Sequence, residues 1–465
     1  MKRALTLSFL ILAIAATVGC GGGSSTQNLQ QGNPAAAVFV TGEDAPLPSV
    51  VGFQVTLNSI TLNGASNSPQ VLAQPETVDF ARLVGLRSPL AFNTVPADTY
   101  TSATFVLANP VISWVDMTQT PPALGTPING TFPNNQNPYS VTVNFPTPMV
   151  VNANGLAGLR MEFDIRQSVA VNGSGQVTGA VNPVIYVKAT KASDPDGQVT
   201  DLMGGLVSVN AAGNSFLLQG PYGRQLTVYV NNSTLFNSGW SINNMATPEF
   251  VAVQGAFQAD GSLMATGVEV ITTAQSFLSG RVLAEMTNSS GQVQQITMWV
   301  GETGADMVGD VDTIQTIDVS QVSTYDVCFL NGPLTNAVFN DSTVVVGQRI
   351  FIGGSYASSV FTPTMISLRL QGVYGMFVPA SVAVTNGNAG SFQLSNNGLV
   401  GYSVGGPVTV NTYNLTYFHN LTGLGQLQST ATAVPVVARG LLLLDPVSGN
   451  PEVYAGMVSE PSPSN

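Results

Sequence analysis

The sequence is short of the residues from which most catalytic and metal sites are built. It has one histidine, His419, and two cysteines, Cys20 and Cys328, in 465 residues. Zinc sites use three or four Cys, His or carboxylate ligands at set spacings, and one histidine with so few cysteines does not make the usual sets. A Ser-His-Asp or Cys-His system would have to use His419, and the YFHNL around it has no Gly-x-Ser-x-Gly elbow as a partner. Charge is scarce as well, at 8% of residues against the roughly 25% usual in soluble proteins. Basic residues are the rarer sign, 13 against 25 acidic, for a net charge of −12. Nucleic-acid affinity comes largely from clustered Lys and Arg, so no nucleic-acid partner is expected. The glycine-rich GGLVS and GQRIFIGG do not open helices, so no phosphate cradle and no cofactor is expected.

The N-terminus is the most specific segment present. Lys2 and Arg3 precede an apolar run from Ala4 to Val18, and Thr17-Val18-Gly19-Cys20 is a small-residue site that ends in cysteine. The run is shorter than the roughly 20 residues that cross a bilayer, so residues 1–20 read as a processed leader. This arrangement resembles a bacterial lipoprotein signal peptide. The resemblance implies that Cys20 becomes a lipidated N-terminus and anchors the protein to a membrane of the cell envelope. Gly21, where an aspartate would retain a lipoprotein at the inner membrane, resembles sorting to the outer membrane, facing the periplasm or the cell surface. Stable anchoring takes more than one acyl chain, at about 0.8 kcal/mol per buried methylene. Residues 21–35, rich in Gly, Ser, Gln and Asn, read as a flexible tether. Removing the leader leaves 11 basic residues against 25 acidic ones. With Cys20 taken by lipid, Cys328 in YDVCFLN reads as a buried small hydrophobe, and no disulfide framework is available.

Beyond the tether, apolar and polar residues alternate over four to eight positions between Gly, Asn, Asp and Pro, and no segment keeps a helical period for three turns. The pattern predicts an all-β protein with little helix. Residues 36–192 read as an antiparallel β-sandwich. Within them, NTVPADTYTSATFVL resembles the Pro-Ala-Gly-Thr-Tyr turn of transthyretin-like and carboxypeptidase-regulatory-like sandwiches, with Asp98 in the glycine position and Tyr100 packing across the sheet. The order of an Asp-Ala-Pro turn, this turn and a Met-Glu-Phe-Asp strand resembles an uncharacterised N-terminal domain of bacterial lipoproteins. Asp194 to Gly197, DPDG, reads as a linker turn, since no bidentate glutamate follows at calcium-loop distance.

Three units then share an opening Gly-x-Val strand, a middle strand such as LTVYVNN or VTVNTYN, and a closing hairpin: 203–274, 278–371 and 372–460. Asp260-Gly261 between alternating runs is a strong hairpin signal. The units resemble small OB-like β-barrel repeats of unknown function. An outer-membrane barrel fits less well, because many of the alternating strands are short and the sequence finishes in EPSPSN rather than an apolar strand.

Candidate chemistry is thin. OB-like barrels bind oligosaccharides with stacked aromatics, and Tyr229, Phe236, Trp240, Trp299, Tyr413 and Tyr417 are available. Core packing explains most of them, and Trp240 in NSGWSINN is the best single ligand-binding candidate. Glu162 and Asp164 alternate onto one strand face, which reads as a solvated or edge-strand face more readily than as an acid-base pair. Asp44, Asp79 and Asp116 are candidates to gather around calcium, though nothing in the sequence makes them converge, and no metal ligand is assigned. No catalytic residue is expected. The leading expectation is a non-catalytic scaffold or adhesion-type module. A binder of a glycan or another envelope polymer comes second, and an enzyme with an unrecognised carboxylate site third.

Overall fold

A computed structural model describes residues 35–45, 47, 49–116, 119–173, 176–220, 223–272, 276–328, 338–395, 407–445 and 447–460. Cys20, the leader and the tether up to residue 34 lie outside the described residues. The fold is all-β, and among the described residues the α-helices are two short ones. Alternation dictates this: in VVGFQVTLNSITLNG the apolar side chains of Phe53, Val55, Leu57, Ile60 and Leu62 enter the core while the Thr and Asn between them are partly exposed.

The N-terminal module consists of two packed sheets. Its strands are β1 (Ala35–Ala45), β2 (Val50–Gly64), β3 (Glu76–Asp79), β4 (Ser88–Pro96), β5 (Asp98–Asp116), the short β6 (Ala123–Leu124) and β7 (Ile128–Asn129), and β8 (Tyr139–Val151). They continue with β9 (Leu156–Asp164), helix α1 (Ile165–Ser168), the hairpin β10 (Val169–Val171) and β11 (Val177–Val181), and β12 (Ile185–Thr190). One sheet runs β12-β9-β1-β4, and the other runs β3-β2-β5 with β8 on the far side of β5. The sandwich is not wholly antiparallel, because β1 and β9 run parallel from Ala37 opposite Leu156 to Ala45 opposite Asp164. The whole second sheet lies between them in sequence, long enough for the crossover that a parallel pair requires. Phe53 and Phe80 pack on Phe163 in the core, with ring centroids 5.2 and 4.9 Å away. Tyr100 is fully buried, and its hydroxyl donates to the carbonyl of Pro96 at 2.7 Å, which ties down the turn read in the sequence. Asp98 accepts from Asn67 Nδ2 and from the amides of Ser66 and Thr99, so its carboxylate organises the turn. These bonds, Asn67 first, hold its carboxyl below the usual carboxylate range.

Three barrels follow. Barrel 1 contains β13 (Val199–Asn210), β14 (Ser215–Gln219), β15 (Gln225–Tyr229), β16 (Leu235–Phe236), β17 (Phe250–Phe257) and β18 (Leu263–Thr272). Antiparallel ladders join β13-β14-β15 and β13-β17-β18, and β15 closes the barrel by pairing parallel with β18. That order is the five-stranded OB arrangement. The turn at Asp260-Gly261 joins β17 and β18 with Gly261 at φ +86, as its sequence demands.

Barrel 2 repeats the order with β19 (Ser276–Thr287), β20 (Val293–Thr303), β21 (Thr313–Asp318), β22 (Thr324–Val327), β23 (Arg349–Ala357) and β24 (Val360–Leu368). Its sheet runs β21-β20-β19-β23-β24-β22, and β22 pairs parallel with β24 at the open side. Barrel 3 contains β25 (Gln371–Phe377), β26 (Ala383–Asn386), β27 (Ala389–Ser395), β28 (Val408–Thr412), β29 (Tyr417–His419), helix α2 (Leu424–Ser429), β30 (Pro435–Leu444) and β31 (Pro451–Ser459). It closes as β25-β27-β28-β31-β30, with β28 parallel to β31. One detail repeats atom for atom in barrels 1 and 3. After the third barrel strand, a threonine hydroxyl receives the amide three residues earlier and donates to a carbonyl of the last strand: Thr234 to Ala265 and Thr416 to Ala455, each at 2.7 Å.

Each module has an apolar core, two of these cores reach into a neighbour (Phe39 of the sandwich into barrel 1, Leu441 and Leu443 of barrel 3 into barrel 2), and smaller apolar clusters also bridge modules. Phe250 of barrel 1 packs tilted on Phe277 and stacked on Phe351 of barrel 2, with ring centroids 4.3 and 5.7 Å away. Val51 and Val115 of the sandwich cover Trp299 of barrel 2. Backbones also meet: Gly85 in the sandwich, at φ +73, lies so near Gly372 of barrel 3 that a Cβ would stand 2.2 Å from the Gly372 amide nitrogen. The described residues from 35 onward therefore form one compact unit rather than beads on linkers.

Candidate functional site

The aromatic residues singled out in the sequence are dispersed. Trp240 lies in the loop between β16 and β17, half-buried against the barrel 1 core with Phe236. Tyr229 is half-buried on β15. Trp299 is 3% exposed beneath the sandwich, with the Arg82 guanidinium 5.8 Å from its ring centroid. Tyr413 stacks on Tyr454 at 6.5 Å, and Tyr417 lies 6.3 Å from the His419 ring.

The carboxylates behave differently from the solvated face read in the sequence. Glu162 and Asp164 are buried, because β9 lies inside its sheet between β12 and β1, and barrel 3 covers the face they share with Arg160. Asp79 accepts from the Phe53 amide at 2.8 Å and from Arg82 at 3.0 Å, and Asp44 accepts from the Ile165 amide at 3.2 Å. Burial raises the Asp44 carboxyl well above its ordinary range. Asp116, at the end of β5, accepts from Gln119. Among the described residues, no group of three or more His, Cys, Asp or Glu side chains is placed to hold a metal ion.

What the fold brings together is arginine. After Arg3 the sequence has nine, and every one lies at a junction between modules. Arg224 reaches from barrel 1 to Glu76 at 3.2 Å and to the Pro89 carbonyl at 2.7 Å. Arg166 lies over the Tyr374 ring of barrel 3, 4.7 Å from its centroid. Arg87 donates to the Gln198 carbonyl at 2.8 Å, at the entrance to barrel 1, and burial lowers it to about 10.

The densest network joins the sandwich to barrel 3. Glu43 of β1 accepts from Arg160 of β9 and, at 2.8 Å, from Arg439 of β30. Arg160 also meets Glu162 at 3.2 Å, and its other nitrogen lies 3.2 Å from His419 Nε2. His419 Nδ1 is 2.9 Å from Asp196, which also receives Lys188 at 2.9 Å. Asp196 belongs to the DPDG turn; the sequence marks the turn but not its 3% exposed carboxylate. Burial works against the Asp196 charge, yet the His419 hydrogen bond and Arg160 hold its carboxyl far below the usual range. Burial lowers the His419 pKa and outweighs the pull of Asp196. Both ring nitrogens are engaged with charged groups, so the histidine is placed as a tie rather than as a base beside a hydroxyl or thiol.

A second network joins barrels 1 and 2. Asp201 of β13 accepts from Arg369 and, at 2.5 Å, from Arg349, and Glu269 of β18 accepts from Arg369 at 2.8 Å. The Arg369 side chain has no solvent exposure. Cys328 is buried beside it, with Sγ 3.8 Å from Asp201. Burial alone would raise Asp201, but the two arginines hold it below its ordinary value, whereas for Glu269 burial prevails over Arg369 and raises it.

Residues 36–178 match the family model of a domain of unknown function, DUF4382. The matching region covers most of the sandwich and stops short of β12, which completes the β12-β9-β1-β4 sheet. No curated protein matches the chain.

The Glu285 carboxyl departs from this pattern of pairing. Glu285 of β19 is half-buried, its Oε2 has no hydrogen-bond partner, and burial pushes it up to about 7. Its folded pKa lies above the unfolded value, so the native state holds the extra proton between pH 4.5 and 7 and bears the cost of an unpaired carboxylate above that window. Glu285→Gln is expected to raise stability by about 1–3 kcal/mol at pH 8 and to change nothing at pH 4.5, read from urea unfolding at the two pH values. An equal shift at both would mean that the charge is not the cause.

Proposed function

We propose that this protein is a non-catalytic, lipid-anchored component of the bacterial cell envelope, a rigid scaffold or adhesion-type module held to the membrane through Cys20. The observation that carries this reading is the placement of all nine arginines at module junctions. A chain so poor in charge has concentrated its guanidiniums where they fix four modules as one body. His419 and Cys328, the two groups best suited to nucleophilic or acid-base work, lie buried in those ties. The dispersal of aromatics over three modules favours a scaffold over a glycan platform. The two-sheet N-terminal module and its Tyr100 turn support the likeness to transthyretin-like sandwiches. The leader, with cysteine at position 20, supports the anchor and an outer-membrane address.

Growth with labelled fatty acid, followed by mass spectrometry of the mature N-terminus, tests the anchor. The expected product begins at Cys20 and carries acyl chains. An unlipidated protein that begins elsewhere would overturn the membrane assignment.

A further inference from the structure

The single histidine sits where the sandwich meets barrel 3, 5% exposed, and its neighbours fix where its proton lies. The Asp196 carboxylate only accepts, and its Oδ2 is 2.9 Å from Nδ1, so Nδ1 carries the proton. The Arg160 guanidinium only donates, and it lies 3.2 Å from Nε2, so Nε2 accepts. His419 is therefore neutral and held in one tautomer, tied at one end to strand β9 of the sandwich and at the other to the turn that leaves the sandwich. We propose that this ring is an acid-sensitive latch, which holds barrel 3 on the sandwich while neutral and loosens that hold when it takes a second proton. The latch goes beyond the scaffold reading and does not depend on it.

A second proton finds no acceptor. On Nε2 it would point at the Arg160 guanidinium, donor against donor. Lys188 of β12, with Nζ 3.4 Å from Nδ1, is another cation at the ring. The carboxylate in contact, Asp196, already receives Lys188 at 2.9 Å and lies 3.7 Å from Arg160. Farther out stand Arg439 of β30, Arg87 just before β4, Glu43 of β1, Glu162 of β9 and Asp194 of the turn, with Tyr417 of β29 6.3 Å from the ring. Glu43 and Glu162 are taken up by Arg160, and Glu43 by Arg439 as well. Glu460, after β31, meets His419 through its backbone amide. Burial, the largest effect, holds the ring below its ordinary 6.5, with Arg160 and Lys188 acting in the same direction and Asp196 opposing.

Linkage makes such a ring a switch. Undocked, it meets water and takes its proton at about 6.5; docked, it takes it only at lower pH, so protons favour the undocked form. Docking is at full strength above pH 6.5 and weakens as the pH falls from there through the docked value. The loss is about tenfold for each unit by which docking lowers the histidine. Asp196 stays ionised throughout, since its carboxyl lies far below the usual range. Asp44 and Asp164, which burial raises, act the other way, because docked they bind protons more readily.

Because the histidine is single, one imidazole signal in the histidine-labelled protein reports its pKa by nuclear magnetic resonance. A value below 6.5 is expected. Hydrogen exchange, corrected for its intrinsic pH dependence, reads the docking. His419→Gln keeps a donor and an acceptor at the same place and takes no proton. From about pH 7.5 to about pH 5, the wild type should lose about tenfold more protection than this variant at β29 to β31, while barrel 1 keeps its own. A histidine that titrates at 6.5 or above would overturn the proposal, as would an equal change in both proteins. Should the variant fail to fold, the wild type decides alone: its histidine has to titrate below 6.5, and protection at β29 to β31 has to fall as the pH drops from there.

Discussion

Arg369→Met is expected to destabilise the protein by about 3–5 kcal/mol, one of the two largest losses of any single substitution considered. The guanidinium is fully buried between Asp201 and Glu269, on strands of barrel 1 that barrel 2 covers. Removing it takes from Glu269 its ion-pair partner and leaves Asp201 paired with Arg349, in surroundings where water cannot solvate the charge. The pair Arg369→Met with Glu269→Met distinguishes charge from shape. It removes the orphaned carboxylate and leaves Asp201 its bond to Arg349, so most of the lost stability should return. Urea unfolding midpoints of the wild type, the single variant and the double variant measure this. A double variant no better than the single one would show that the network acts by packing rather than by charge.

Glu43→Gln is expected to cost at least about 3 kcal/mol, although it removes no atom from the side-chain skeleton. Glu43 is fully buried and serves two arginines from different modules, Arg160 of the sandwich and Arg439 of barrel 3. With its charge gone, Glu162 and Asp196 must balance both arginines as well as the nearby Arg87. The loss should be local. Hydrogen exchange should quicken at β29 to β31 of barrel 3, while barrel 1 keeps its protection. A stability change below about 1 kcal/mol would mean that the junction is held by apolar contact and by the Gly85–Gly372 approach, with the ions contributing little.

Much of the architecture was legible because strand pattern and turn chemistry are local. Alternation in VVGFQVTLNSITLNG, the Asp260-Gly261 turn and the Tyr100 turn each point to the element that forms, since each depends on residues a few positions apart. The repeated order of the three units was legible for the same reason, being a recurrence of local patterns. The parallel β1–β9 pair was not, because parallel partners carry no turn between them to announce the register. Nor was the fate of Glu162 and Asp164. A Glu-x-Asp on a strand looks the same whether its face meets water or another module, and only the docking of barrel 3 decides which.

The sequence by itself determined the β character, the turns, the order of the modules and the shortage of charge. The tertiary structure alone decided where the scarce charges go. Residues as far apart as Glu43 and Arg439, or Asp201 and Arg369, have no local reason to meet. They meet because packing four apolar-cored modules into one unit creates dry junctions, and a charge carried into such a place must find its opposite there.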